Sequence, residues 1–475
     1  MLLRMIYDDR LAQAAYLIGC QKTGEAIVID PERDVDRYVE AAAKEGLRIV
    51  AAAETHIHAD FVSGARELAE RGVRVYLSDE GDADWKYQWV EKKSGGGRYD
   101  AVLVRNGDVF RVGNIEFKVL HTPGHTPEHI CFMVTDRGGG ASEPMGVATG
   151  DFVFVGDLGR PDLLETAAGN VGSAEPSARR LFGSVGAFVQ WPDYLQVWPG
   201  HGAGSACGKA LGAVPQTTVG YEKRFNPAVR AASSEPGFVR FILDGQPEPP
   251  LYFARMKRWN KVGPPVLGGV PRPREMTAEE LKGVDARRVA VVDSRPWKAF
   301  KDGHVAGALF VPHDGMFPAI VGSYIGEDED VVLIAERDRV DAMVRDMIRV
   351  GIDRIVGWME PGAMEQYARL GGKMATTPEI DVAEAKRRLG DGGSFFLDVR
   401  RRDEFEAGRL PGAALAPHPR LPAMLGDVPR DKRVIVNCRS GARSGRACAL
   451  LQRAGYEVAN VAGGWLAWDA MERGG

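Results

Sequence analysis

The chain has 475 residues, 44% of them apolar and 27% charged, which is too long for one ordinary core and predicts two to four soluble, globular domains. Its 61 basic and 65 acidic residues leave a formal charge of −4 with no long run of either sign, so nothing in the composition attracts nucleic acid. The first twenty residues hold only short apolar runs broken by Arg4, Asp8, Asp9 and Arg10, and no stretch reaches membrane-spanning length, so neither a secretion signal nor a membrane contact is expected.

Taken in chain order, Ala26–Asp30 reads as a buried strand, and Val35, Tyr38, Val39 and Ala42 then share one helical face. Leu47–Ala53 is the next strand. It delivers the chain into Thr55-His56-Ile57-His58-Ala59-Asp60, after which Ser63–Arg71 reads as a helix closed by Gly72. Ile115–Leu120 alternates and leads into His121-Thr122-Pro123-Gly124-His125-Thr126, whose proline and glycine forbid regular structure. From about Gly245 to Arg274 seven prolines mark a linker. Beyond it, Val291-Val292-Asp293-Ser294-Arg295 with Gly303–Ala308 is echoed by Phe396-Leu397-Asp398-Val399-Arg400 with Gly408–Ala413, so two related small α/β domains are expected.

His56, His58, Asp60, His125, Asp151 and His201 all follow strand-like runs. Imidazoles and carboxylates converging from loops can hold a divalent metal. Five scattered cysteines suit free thiols in a reducing compartment, and a cytoplasmic location is expected. Cys20 and Cys448 read as core, whereas Cys207, six residues beyond His201, can approach the metal site as a sulfur acceptor.

The order HxHxD, HTPGHT, Thr149-Gly150-Asp151 and Pro199-Gly200-His201-Gly202 resembles the metallo-β-lactamase superfamily over about residues 1–240. The resemblance implies a four-layered αββα sandwich with the site at one edge of the two sheets. Most two-zinc hydrolases of that superfamily carry histidine directly after the aspartate, where this chain has Phe61, which cannot ligate a metal. The resemblance narrows to the persulfide dioxygenases and implies one Fe(II) per N-terminal domain, held by His56, His125 and Asp151, with zinc also able to load. His58 would ligate only with zinc present. It otherwise joins Asp60 and His201 in orienting the ligands by hydrogen bonds. Arg160 and Asp162, in Gly156–Asp162, correspond to a glycine, arginine and aspartate turn that ties the metal loop together or meets substrate. The resemblance implies a thiol carrier of coenzyme A or glutathione type, and Gly202-Ala203, standing where the glutathione-using enzymes carry an Asp-Tyr pair, argues against glutathione itself.

Near the other end, Arg433–Asn437 reads as a strand that stops at Cys438, and Ala442–Ala454 as a helix. Backbone N–H groups, the helix dipole, Arg439 and Arg443 would favour a thiolate there. The six-residue loop Cys438–Arg443, with Gly463-Gly464-Trp465, resembles a rhodanese, or sulfurtransferase, domain over about residues 377–475. Related phosphatase loops are usually one residue longer. In the middle repeat Val332–Ala335 runs into Glu336, which puts a carboxylate in the nucleophile's place and predicts a catalytically silent copy.

The expected architecture is a multidomain α/β chain: an αββα domain over 1–245, a proline-rich linker over 246–273, an inactive rhodanese-like domain over 274–375 and an active one over 376–475. The expected activity joins Fe(II)-dependent oxidation of a low-molecular-weight thiol persulfide by O2, giving sulfite, to sulfur transfer from Cys438 to sulfite, giving thiosulfate. Family resemblance further implies a homo-oligomer. The alternatives are a zinc-dependent thioester or lactone hydrolase with attached rhodanese domains, and a non-enzymatic persulfide carrier or redox sensor.

Overall fold

The computed structural model describes residues 1–167 and 169–474. They form two compact units, Met1–Val270 with Ile348–Gly351, and Pro271–Met347 with Ile352–Gly475. No described helix is long and apolar enough to cross a membrane.

The first unit is built on two six-stranded sheets. In one, β1 (Leu2–Asp8), β2 (Gln13–Cys20), β3 (Glu25–Ile29), β4 (Arg48–Ala53), β5 (Arg74–Ser78) and β6 (Ala101–Val104) lie in chain order, antiparallel up to β3 and parallel after it. The other holds β7 (Val109–Val112), β8 (Ile115–His121), β9 (Ile130–Asp136), β10 (Gly146–Gly150), β11 (Gln196–Pro199) and β12 (Thr217–Thr218), again in chain order, with only the β10/β11 pair parallel.

Alternate residues of each strand point the same way, and this fixes the layering. Tyr16, Ile18, Ile27, Ile29, Ala51 and Ala53 from the first sheet meet Phe117, Val119, Phe132, Val134 and Trp198 from the second in one buried core. The opposite face of the first sheet carries Val28, Ala52 and Val75 against Tyr38 and Leu68, which come from helices Asp36–Lys44 and Ala65–Glu70. The opposite face of the second carries Val147 and Val197 against Leu181, Val185 and Phe188 of helix Ala174–Phe188. Helix, sheet, sheet, helix is the resulting order. Each large aliphatic or aromatic side chain buried in these layers contributes roughly 1.5–3 kcal/mol.

Part of the proline-rich stretch read as a linker is helical, Phe253–Val262, and buries Phe253, Met256 and Asn260. The prolines lie on either side of it, where they limit the helix without breaking it.

In the second unit, two five-stranded all-parallel sheets repeat one strand order. The first runs Arg274–Glu275, Ile355–Met359, Val331–Ile334, Ala290–Asp293, Leu309–Phe310. The second runs Glu379–Ile380, Val458–Val461, Arg433–Asn437, Ser394–Asp398, Ala414–Leu415. Each has the same clamp: Arg295 grips Asp293 with Nε and Nη2 and donates Nη2 to the Gly303 carbonyl, and Arg400 does the same with Asp398 and Gly408.

Candidate metal centre and cysteine loop

Strands β4, β8, β10 and β11 end at one edge of the first unit and hand the chain to His56, His125, Asp151 and His201 in turn. The loops cross so closely that side chains are excluded at two glycines. Gly150 has φ +48°, and a Cβ there would strike Thr55 and His129. A Cβ on Gly200 would meet Asp151 Oδ1 at 2.7 Å.

His56, His125 and Asp151 each offer one ligand atom within 4.8 Å of the others, and all three are buried. Thr55 Oγ1 lies 2.9 Å from His56 Nδ1, and His125 Nδ1 donates to the Arg160 carbonyl oxygen at 2.9 Å, so both rings turn Nε2 inward. His56 Nε2 and both carboxylate oxygens of Asp151 are buried without a hydrogen bond. Burying such groups unpaired is costly, and a divalent metal accepted by two imidazoles and one carboxylate removes that cost. The donor set therefore fits a metal.

A second group adjoins the first. Asp60, His201 and Cys207 also place one ligand atom each within 4.8 Å of one another. His201 Nε2 stands 3.1 Å from Asp60 Oδ2 and 3.4 Å from Asp151 Oδ1, while its Nδ1 donates to the Ala12 carbonyl at 3.0 Å. Burial, reinforced by the carboxylates of Asp60 and Asp151, pushes the Cys207 thiol up to about 12. His58 turns Nε2 to Asp30 Oδ1 at 3.1 Å and lies outside both groups. Phe61 packs on the His58 ring with centroids 4.3 Å apart. Arg160 makes a two-pronged ion pair with Asp162, at 2.8 and 2.6 Å, and also donates to the Ala206 and Pro247 carbonyls.

Four positioning residues escaped the motif reading. Asp30 receives the Thr55 backbone N–H at 2.7 Å and the Thr55 hydroxyl at 2.8 Å. Glu128, pushed up to about 7 by burial, receives the Ile57 N–H at 2.7 Å. His129 accepts the Asp151 N–H on Nε2 at 3.1 Å and uses Nδ1 on Thr122, so this third histidine of HTPGHTPEH orients the ligand loop instead of ligating. Asn260, from the helix inside the presumed linker, donates to the carbonyls of His58 and Phe61 at 2.8 and 2.7 Å and accepts the Ser63 N–H at 2.9 Å.

In the second unit Cys438 is buried under the start of helix Ala442–Arg453. Its sulfur accepts the Gly441 N–H at 3.1 Å and the Ser444 hydroxyl at 3.3 Å. Gly441 has φ +100°, a conformation that turns its N–H into the loop and that a side chain would strain. Arg443 is held by Glu404 through two hydrogen bonds of 2.6 and 2.7 Å, whereas Arg439 is exposed. Arg400, Arg401, Arg439, Arg443 and Trp465 line an open basin of about 490 Å³ over the loop.

Strand register corrects the account of the middle copy. Asp293 pairs with Ile334 as Asp398 pairs with Asn437, so Ala335 occupies the Cys438 position and the exposed Glu336 falls at that of Arg439. At the position of Cys438 the middle copy carries an alanine, not a carboxylate.

Comparison with known proteins identifies two stretches of the chain. The metallo-beta-lactamase superfamily model matches residues 8–191 and the rhodanese-like domain model residues 381–471. A crystal structure of a metallo-beta-lactamase from Staphylococcus aureus is 40% identical, with 76% of this chain and 99% of that one covered and a TM-score of 0.67. An uncharacterized protein of Aquifex aeolicus is 30% identical over 48% of this chain and 96% of its own length. A sulfurtransferase of Allochromatium vinosum is 40% identical over 19% of this chain and 86% of its own. The αββα layering, the loop-borne histidines and these matches together show that the chain belongs to the metallo-beta-lactamase superfamily and carries a rhodanese-like domain at its C-terminal end.

Proposed function

We propose that the chain is a bifunctional enzyme of persulfide oxidation, an Fe(II) persulfide dioxygenase joined to a thiosulfate-forming sulfurtransferase. The observation that carries this reading is the donor set of His56, His125 and Asp151 with Phe61 beside it. Two imidazoles and one carboxylate leave coordination positions open and suit non-haem Fe(II), whereas the residue that would complete a two-metal hydrolase site is a phenylalanine. When bound there, Fe(II) supplies the redox and O2 chemistry that zinc lacks.

The residues of the chain do the rest. Arg160 and Thr55 hold the two imidazoles with Nε2 forward, His129 fixes the backbone of Asp151, and burial of the whole group excludes bulk water. The overall reaction is RSSH + O2 + H2O → RSH + H2SO3. The sulfane sulfur loses four electrons, O2 gains them, and the S–S bond breaks with RSH leaving. At the second centre the Cys438 thiolate attacks the sulfane sulfur of another persulfide and expels RS⁻. Sulfite then attacks the outer sulfur of the Cys438 persulfide, giving thiosulfate and the free thiolate. Carrying both centres on one chain raises the effective concentration of sulfite at its acceptor.

The test is O2 uptake by anaerobically Fe(II)-loaded protein given glutathione persulfide or coenzyme A persulfide, with sulfite and thiosulfate quantified. Metal-dependent uptake with sulfite formation is expected. No uptake with either substrate, in protein holding one iron, would sink the dioxygenase reading and favour a zinc-dependent thioester or lactone hydrolase. Stoichiometric persulfide labelling of Cys438 without turnover would instead indicate a carrier or sensor.

A further inference from the structure

Helix Val340–Arg349 begins in the second compact unit, but its end, with Ile348–Gly351, belongs to the first. Its last residue, Arg349, falls by sequence in the stretch that carries Ala335 in place of a cysteine, yet its side chain is buried among carboxylates of the metal-binding unit. Arg349 Nε and Nη2 donate to the two oxygens of Asp34 at 3.0 and 2.6 Å, Nη1 donates to Asp8 Oδ2, and Nε stands 3.3 Å from Glu32 Oε2. All three acids are buried, and Arg37 also donates to Glu32 at 2.7 Å. Removing one partner from such a group strands charge away from water, which costs far more than the pair itself contributes.

Each contact of Arg349 reaches a loop of the metal centre. Asp8 ends β1, and its Oδ1 receives the N–H groups of Arg10 and Leu11 at 2.8 and 2.7 Å. The turn so formed carries Ala12, at φ +50°, whose carbonyl receives His201 Nδ1 and aims that ring. Glu32 and Asp34 lie in the loop after β3, which opens on Asp30, the residue that holds Thr55 and His58. Glu32 is also bridged to Ser63, and the two loops lie so close that a Cβ on Gly64 would come within 2.3 Å of the Glu32 carbonyl oxygen. Finally, the Arg349 carbonyl accepts the N–H of Val62, just past Asp60 and Phe61, at 2.6 Å.

We infer that Arg349 is a positioning residue of the metal centre. One guanidinium and its own backbone carbonyl tie together the turn that aims His201, the loop that holds Thr55 and His58, and the segment that follows Asp60. The stretch with alanine in place of the cysteine thereby serves the metal site, and the N-terminal domain alone does not carry the whole support of its ligands. The inference concerns the residues that hold the metal, and it stands whichever metal binds and whatever reaction follows.

The test uses the full chain and two readouts: Zn(II) affinity by chelator competition, and the visible absorption of the Co(II)-loaded protein, which reports how the ligands are arranged. Arg349→Met removes the charge and keeps the stem. It should weaken Zn(II) binding by about tenfold or more and alter the Co(II) bands, as when a partner that orients a ligand is lost. Arg349→Lys keeps the charge without the planar fork and guards against a chain that fails to fold, and its Co(II) bands should already differ from the parent's. Adding Asp34→Asn to Arg349→Met removes one stranded charge, so part of the lost melting temperature should return while the Zn(II) affinity stays low. Parent-like Zn(II) affinity and Co(II) bands in either single variant would overturn the inference. So would affinity that recovers together with melting temperature in the double variant, because Arg349 would then be a structural ion pair only. Neither readout uses O2 or a persulfide, so failure of the dioxygenase reading and failure of this inference are separate results.

Discussion

His125 donates its Nδ1–H to the carbonyl oxygen of Arg160 at 2.9 Å, so one backbone oxygen sets both the tautomer and the aim of the imidazole. That oxygen is fixed because the Arg160 side chain is gripped by Asp162. Asp162→Asn should loosen the turn and weaken metal binding by about 10–100-fold, the usual cost of removing a partner that orients a ligand. Chelator competition against Fe(II) or Zn(II) measures it, and unchanged metal affinity would remove the turn from the site's support.

Asn260 should be a stability hot spot. Replacing it with leucine strands the carbonyls of His58 and Phe61 and the N–H of Ser63, all in a buried loop. Each buried group left unpaired costs about 1–3 kcal/mol, so a loss of several kcal/mol is expected, together with reduced metal content. Denaturant unfolding and metal analysis of the same preparation check both, and a loss below about 1 kcal/mol would contradict the pinning role.

Cys438→Ser should lower sulfur transfer to sulfite by at least about a hundredfold while leaving O2 uptake in place, because Cys438 is the only cysteine in its loop. Adding Ala335→Cys to that variant should not restore transfer. The middle loop places Arg337–Arg339 in a tight turn where the C-terminal loop turns the Gly441 N–H onto sulfur. Thiosulfate assays of the single and double variants decide this, and recovery in the double variant would mean that register alone makes the loop.

His418 is buried, and its imidazole is pushed down to about 3, first by burial and then by the charges of Arg446 and Arg443. The unfolded chain takes up this proton near 6.5, so the unfolded state binds more protons between those values. The stability contribution is complete above pH 6.5 and drains away as pH falls toward 3. Each unit of the shift is worth about 1.4 kcal/mol. Melting temperatures between pH 7 and pH 4 should therefore fall less steeply in His418→Gln than in the parent chain, and parallel curves would exclude His418 as the source.

Strand-end histidines were visible in the sequence because periodicity places the strands, and the chemistry of the loops follows from their position. Arg48–Ala53 leading to His56 and Arg433–Asn437 leading to Cys438 are of this kind. Asp30, Glu128 and Asn260 were not visible, since each acts on a loop 25 to 202 residues away and only the folded sheet brings them together. Helix Phe253–Val262 did leave a trace, with Phe253, Met256 and Asn260 on one buried face, but the flanking prolines outweighed it. The middle copy's missing nucleophile was misplaced by one residue because register belongs to pairs of strands: Asp293 opposite Ile334 sets the count, and neither strand carries it alone.

The Asp–Arg clamp is present in both copies of the second unit, around Asp293 and around Asp398, although only one copy has a thiol. A buried ion pair that persists where there is no sulfur to handle answers to the sheet and not to the chemistry. Arg400 can thus border the Cys438 basin as part of the frame, leaving Arg439, whose side chain is exposed at the mouth, as the arginine that an incoming anion meets first.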